Sequence, residues 1–190
     1  MRSPEPSAYT AGAKVLHWLI FLLVAAQFVV AWLMPHIGRN TKVEGPVALH
    51  FSLGFVILAV MLVRWAHRLR HPVPLEMPGA PTWERWTAHW THLAIYALLI
   101  VGPVLGWGAA SARSLPVLLF GIRLPDIAAP RARWGIVAGD VHTWLMWALL
   151  ALLALHALAA LYHQFVRRDG VLQRMLPASR AGEEATDRPA

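Results

Sequence analysis

The chain has 190 residues, 57% of them apolar and 14% charged, with a formal net charge of +7 and a mean hydropathy of +0.49. That balance lies outside the range of ordinary soluble domains, and the length suits one domain. Cysteine is absent, which excludes disulfides, thiolate metal sites, iron–sulfur clusters and covalently attached c-type haem.

The charges are segregated along the chain. No Asp, Glu, Lys or Arg occurs in residues 15–38, 45–63, 86–112 or 141–166. Each stretch is about 19 residues or longer, enough for a helix to cross the hydrocarbon core of a bilayer. A soluble bundle would need a polar face on every helix, and residues 19–34 and 145–162 have almost none. The expected fold is therefore all-α: an integral membrane four-helix bundle. The lipid bilayer is an expected partner and nucleic acid is not.

The first helix is expected over residues 15–34, ended by Pro35. It is too long for the apolar region of a signal peptide, and Pro35-His36-Ile37 offers no small-residue cleavage pattern, so it is read as a permanent span. The second starts at Pro46, a favoured first helical position, and runs to about Leu69, its last turns carrying Arg64 and Arg68 with Arg70 just beyond. Residues 71–78 form an extended proline-rich connector. The third helix covers about residues 82–110, and Pro103, between Gly102 and Gly106, should kink it. Residues 115–125 are too few to span and are expected against the membrane surface. The fourth helix covers about residues 139–167. Residues 1–177 are assigned to the transmembrane domain and 178–190 to a polar, disordered tail.

Four spans put both termini on one side. Of the 17 Lys and Arg residues, eleven lie in the N-terminal segment, around the connector between helices 2 and 3, and in the C-terminal segment. The other side holds Arg39, Lys42, Arg113, Arg123, Arg131 and Arg133. The positive-inside rule places both termini in the cytoplasm.

Histidine within a membrane helix is costly and marks a candidate functional site. His142 and His156 share one face of helix 4 about 21 Å apart along the axis, too far for one metal ion but suited to two stacked haems. His50 matches the depth of His142, and His17 matches that of His156, so each pair could flank one haem. Met146, one turn after His142, is a competing ligand; packing is its alternative role. A set of helix-packing or interfacial histidines is the competing reading of all four.

The strings Val15-Leu16-His17-Trp18-Leu19, Leu49-His50-Phe51-Ser52-Leu53-Gly54, Thr91-His92-Leu93-Ala94-Ile95-Tyr96, Val141-His142-Thr143 and Leu155-His156-Ala157 resemble the bacterial cytochrome b561 family. So does the ending Tyr162-His163-Gln164-Phe165-Val166-Arg167-Arg168-Asp169-Gly170, followed by Arg174-Met175-Leu176-Pro177. The resemblance covers about residues 9–177. It implies a four-helix bundle enclosing two haem b groups, with His17, His50, His142 and His156 as axial ligands of the haem iron. It also implies a location in the bacterial cytoplasmic (inner) membrane.

A cytoplasmic-side site for ubiquinone or another membrane quinone is expected at His92 and His163, since histidine can donate a hydrogen bond and move protons near neutral pH. The family resemblance points to the same two residues. Arg64 and Arg68 are candidates for the inner haem propionates, and Arg113 for the outer ones. Arg113, Arg123, Arg131 and Arg133 would form a basic outer mouth that attracts small anions. Such a mouth fits one activity known in the family, oxidation of superoxide with electrons passed to quinone. No catalytic group beyond the haems is expected. One alternative is an electron-transfer subunit that relays electrons between a partner dehydrogenase or hydrogenase and quinone. Another is a histidine-lined metal transporter. The ten tryptophans are explained by aromatic belts at the two interfaces.

Overall fold

A computed structural model describes residues 9–38, 41–71 and 81–176. Arg39, most of the proline-rich connector and the expected tail at 178–190 lie outside the described residues. Within them the chain forms α1 (Ala11–Leu33), α2 (Gly45–Arg70), α3 (Thr82–Ala112), a hairpin of β1 (Leu118–Leu119) and β2 (Ile122–Arg123), and α4 (Arg133–Tyr162). A π-helical turn, His163–Arg167, continues α4. Each of the four long helices is long and apolar enough to cross a membrane. The fold is an all-α membrane four-helix bundle.

Local sequence accounts for the helix ends. Thr10 caps α1, its Oγ1 accepting from the Ala13 N–H at 3.2 Å. Pro46 stands in the first turn of α2. The fourth helix begins at Arg133 rather than near Gly139. The cause is packing: Gly135 lies so close to α3 that a Cβ on it would sit 2.5 Å from Ala112 Cβ and 2.8 Å from the Gly108 carbonyl. In a membrane, small residues that let two backbones approach are a main source of helix association. Six residues, Arg133 and Gly135 among them, therefore extend α4 because its partner accepts them.

The helices pack in sequence, α1 on α2, α2 on α3 and α3 on α4. Among the described residues, no Cα of α4 comes within 8 Å of one in α1 or α2. The bundle is thus an open ring with space between α4 and the α1–α2 pair. At mid-depth that space is closed by an apolar layer of Ile20, Val24, Ile57, Met61, Ile95, Leu99 and Leu149. Met61 and Leu149 are both 1% exposed.

Residues 115–127 fold over the end of the bundle opposite the termini. Leu115 and Val117 bury against Ala110, with Phe51, Phe55 and Trp107 packed around them. Two buried serines hold this cap: Phe120 N–H donates to Ser52 Oγ at 3.0 Å and Ile127 N–H to Ser111 Oγ at 3.2 Å. The expected surface segment is therefore a hairpin seated on the bundle. At the termini end, Lys14 Nζ donates to the Leu176 carbonyl and Trp18 Nε1 to that of Met175, both at 2.9 Å. These bonds fold the segment after α4 back onto α1.

Candidate functional site

Two histidine pairs reach across the space between α4 and the α1–α2 pair. Near the termini end, the rings of His17 and His156 have centroids 6.2 Å apart at an interplanar angle of 71°. Near the hairpin end, those of His50 and His142 are 6.3 Å apart at 88°. A metal–imidazole bond is about 2 Å and the ring centre lies about 1 Å beyond the nitrogen, so two imidazoles on opposite sides of one iron have centroids about 6 Å apart. Both pairs have that spacing. The apolar layer at Leu149 lies between them.

The chemistry of the donors also fits haem. Among the described residues no group of three His, Cys, Asp or Glu side chains could hold a metal ion. Two imidazoles per centre suit an iron whose remaining four positions are filled by a porphyrin. At the hairpin end the pair opens on a cavity of about 680 Å³, bordered by all four helices and including Gly54, Pro103, Gly106 and Arg113. That is the size of a cofactor site.

His142 is held by α3. Its Nδ1 donates to the Gly102 carbonyl at 2.8 Å, which leaves Nε2 with its lone pair free for a metal. Gly106 permits the approach, since a Cβ there would lie 3.3 Å from His142 Cε1. Met146 packs into the notch at Gly102, its Cε 2.5 Å from where a Cβ would stand. It fills a packing space beside the pair.

The other candidate residues divide between the two ends. His92 lies against His156, with ring centroids 5.1 Å apart, and its Nδ1 donates to the Ala88 carbonyl at 2.6 Å. His17, His156 and His92 therefore form one cluster. His163 turns instead to Asp169, with Nδ1 and Oδ2 2.6 Å apart. The π-helical turn carries it, and Arg168, which follows, has a positive φ of 53°. Burial opposes ionisation of Asp169. The hydrogen bond from His163, the Val171 N–H and the charges of His163 and Arg167 outweigh it and hold the carboxyl below its ordinary value of 3.8. Arg167 also bonds Glu84 at 2.7 Å, joining the end of α4 to the start of α3.

Arg64 ties three helices together at the termini end. Its Nε donates to Tyr96 Oη at 2.8 Å and its Nη1 to the Ala13 carbonyl at 2.9 Å. Arg68 lies over the Tyr96 ring at 5.9 Å. Of the four outer arginines, Arg113 borders the large cavity, and its guanidinium lies against Gly139. Arg123 pairs with Asp126 at 3.3 Å on the surface, and Arg131 and Arg133 are exposed. Sequence reasoning missed Gln27. It borders the same cavity and donates through Nε2 to the His50 carbonyl at 3.0 Å. The signal was present, since an amide in an otherwise apolar membrane span is costly.

A family model described as prokaryotic cytochrome b561 matches residues 8–178. The chain is 28% identical over 176 residues to "Cytochrome b561 homolog 2" of Escherichia coli (strain K12), covering 92% of this chain and 94% of that protein. It is 32% identical over 168 residues to "Probable superoxide oxidase CybB" of Yersinia pestis, covering 87% and 93%. It is also 24% identical over 163 residues to "Cytochrome b561 homolog 1" of Escherichia coli (strain K12), covering 85% and 93%.

Proposed function

The chain belongs to the prokaryotic cytochrome b561 family, membrane electron-transfer proteins that bind b-type haem, and from that premise we propose that it is a dihaem superoxide:quinone oxidoreductase. His50 and His142 would hold one haem b, and His17 and His156 the other. The observation that carries this is the pair of ring spacings, 6.2 and 6.3 Å, on opposite sides of an apolar layer. Similarity to "Probable superoxide oxidase CybB" supports the choice of superoxide as donor.

The overall reaction oxidises two superoxide anions to dioxygen and reduces one quinone, with two protons, to quinol; bound haem supplies the one-electron carrier between them. With two imidazoles committed to each haem, the bound group would supply outer-sphere electron transfer. The chain's own residues bring the reactants to the two ends. Arg113, Arg123, Arg131 and Arg133 give the hairpin end a positive potential that draws a small anion inward. At the termini end, His92 and His163 hydrogen-bond the quinone and hand it protons from the cytoplasmic side. Asp169 keeps His163 oriented with Nε2 free for that task. Ile57, Met61, Leu99 and Leu149 keep water and protons from crossing between the ends. The protein lies in the bacterial inner membrane with both termini in the cytoplasm and residues 1–177 as its transmembrane domain.

The test uses purified haem-loaded protein, a pulse of superoxide and a soluble quinone. Haem reduction near the diffusional limit, followed by quinol at one per two superoxide consumed, is expected. Haem that superoxide leaves oxidised, but that a co-purifying dehydrogenase reduces, would replace this reading with that of an electron-relay subunit.

A further inference from the structure

Two buried side-chain atoms among the described residues have no hydrogen-bond partner: Gln27 Oε1 and His50 Nδ1. An unpaired buried polar group is destabilising, so two of them in one place need an explanation. They belong to residues already in contact, since Gln27 Nε2 donates to the His50 backbone carbonyl at 3.0 Å. Gly54, one turn beyond His50, lies beside the amide, a Cβ there standing in ordinary contact with Gln27 Nε2 at 3.6 Å.

The two orphaned atoms are chemically complementary. An imidazole that bonds iron through Nε2 carries its proton on Nδ1, which makes Nδ1 a donor, and an amide oxygen is an acceptor. The opposing ligand already has its partner in the Gly102 carbonyl. His50 Nδ1 has none, and the Gln27 side chain that bonds the His50 carbonyl presents an unused acceptor.

We infer that Gln27 is a positioning residue of the outer haem site: in the haem-loaded protein its amide oxygen accepts the Nδ1 proton of His50. The inference rests on the proposed role of His50 as an axial ligand. Gln27 then grips one residue twice, as donor to its backbone and acceptor from its ring. The bond fixes the tautomer and orientation of His50. It also makes the imidazole a stronger donor to iron, which favours the ferric state and lowers the potential of that haem. A residue that only stapled α1 to α2 would need Nε2 alone and would leave the potential unmoved.

Redox titration of the purified haem-loaded chain tests this, with the outer haem identified as the spectral component lost in His50→Ala. Gln27→Met removes the acceptor at similar volume. It should shift the reduction equilibrium of the outer haem about tenfold toward ferrous, about 59 mV for one electron, and leave the inner haem unchanged. Gln27→Glu offers a stronger acceptor oxygen and should lower the outer potential below that of the parent. An unmoved outer potential in Gln27→Met, or equal shifts of both haems, would overturn the inference while the ligand assignment stands. Both haems surviving in His50→Ala would overturn the assignment itself, and the inference with it. Should Gln27→Met fail to accumulate, an unchanged or raised outer potential in Gln27→Glu overturns the proposal and a lowered one supports it.

Discussion

His142 joins α4 to α3 through the Gly102 carbonyl and faces His50 across the large cavity. On the proposed assignment, His50→Ala and His142→Ala should each remove the same haem and spare the other. Haem content, normalised to helical content by circular dichroism, checks this; selective loss of two different haems would separate the pair. At the other end, His163→Ala should keep both haems and slow their reoxidation by quinone, so that reduced haem persists after rapid mixing with superoxide. An unchanged reoxidation rate would remove His163 from the quinone site. Asp169 allows a pH test. Its carboxyl titrates below 3.8 in the folded chain, so its stabilising effect is fully present above that value and is lost as pH falls through the lower folded pKa. Asp169→Asn should therefore melt below the parent at neutral and mildly acidic pH, with the difference closing only under strong acid. The histidines were legible in the sequence because each stands in or beside a charge-free stretch, where a polar side chain is conspicuous. Gln27 met the same criterion and was passed over because it is neither charged nor a metal ligand. The Asp169 contact was not legible, because it depends on the π-helical turn, which has no periodic signature.

At the scale of elements, hydropathy marked all four helices, since a bilayer demands an uninterrupted apolar length. It misplaced the start of α4. Arg133 and Gly135 read as loop residues by charge and flexibility, yet they are helical because α3 offers Gly108 and Ala112 as a close-packing surface. Charge counting could not show that, because the contact is between residues more than twenty positions apart. Gly135→Leu should consequently force α3 and α4 apart. Overpacking of a close contact costs about 1–3 kcal/mol, and separation would also carry His142 away from Gly102. Reduced thermal stability in detergent, with earlier loss of the outer haem than of the inner, is the expected result. A parent-like melting profile would show that the α3–α4 contact contributes little. The hairpin after α3 was legible only as a segment too short to span. Its seating depends on Ser52 and Ser111, two small polar residues with no distinctive spacing.

Across the whole molecule, the space between α4 and the α1–α2 pair is divided by one apolar layer into two histidine-lined ends. The helix count and the depth pairing of the histidines were readable from residue positions, because helical rise is fixed at 1.5 Å per residue. The order in which the helices pack was not, because their apolar faces look alike around the circumference. Long-range charge acts at this scale as well. If the basic hairpin end steers superoxide, raising the ionic strength from about 10 mM to 0.15 M shortens the screening length from about 30 Å to about 8 Å. The rate of haem reduction by superoxide should then fall several-fold, whereas a neutral donor should show no such dependence. Equal salt dependence for both would remove the steering role from Arg113, Arg123, Arg131 and Arg133. The measurement closest to the central claim is haem quantitation on the purified chain, combined with a reduced-minus-oxidised spectrum of the parent, His17→Ala and His50→Ala. Two haem b per chain, with one lost in each variant and different spectral components remaining, is the predicted result. One haem per chain, or the same component lost in both variants, would contradict it.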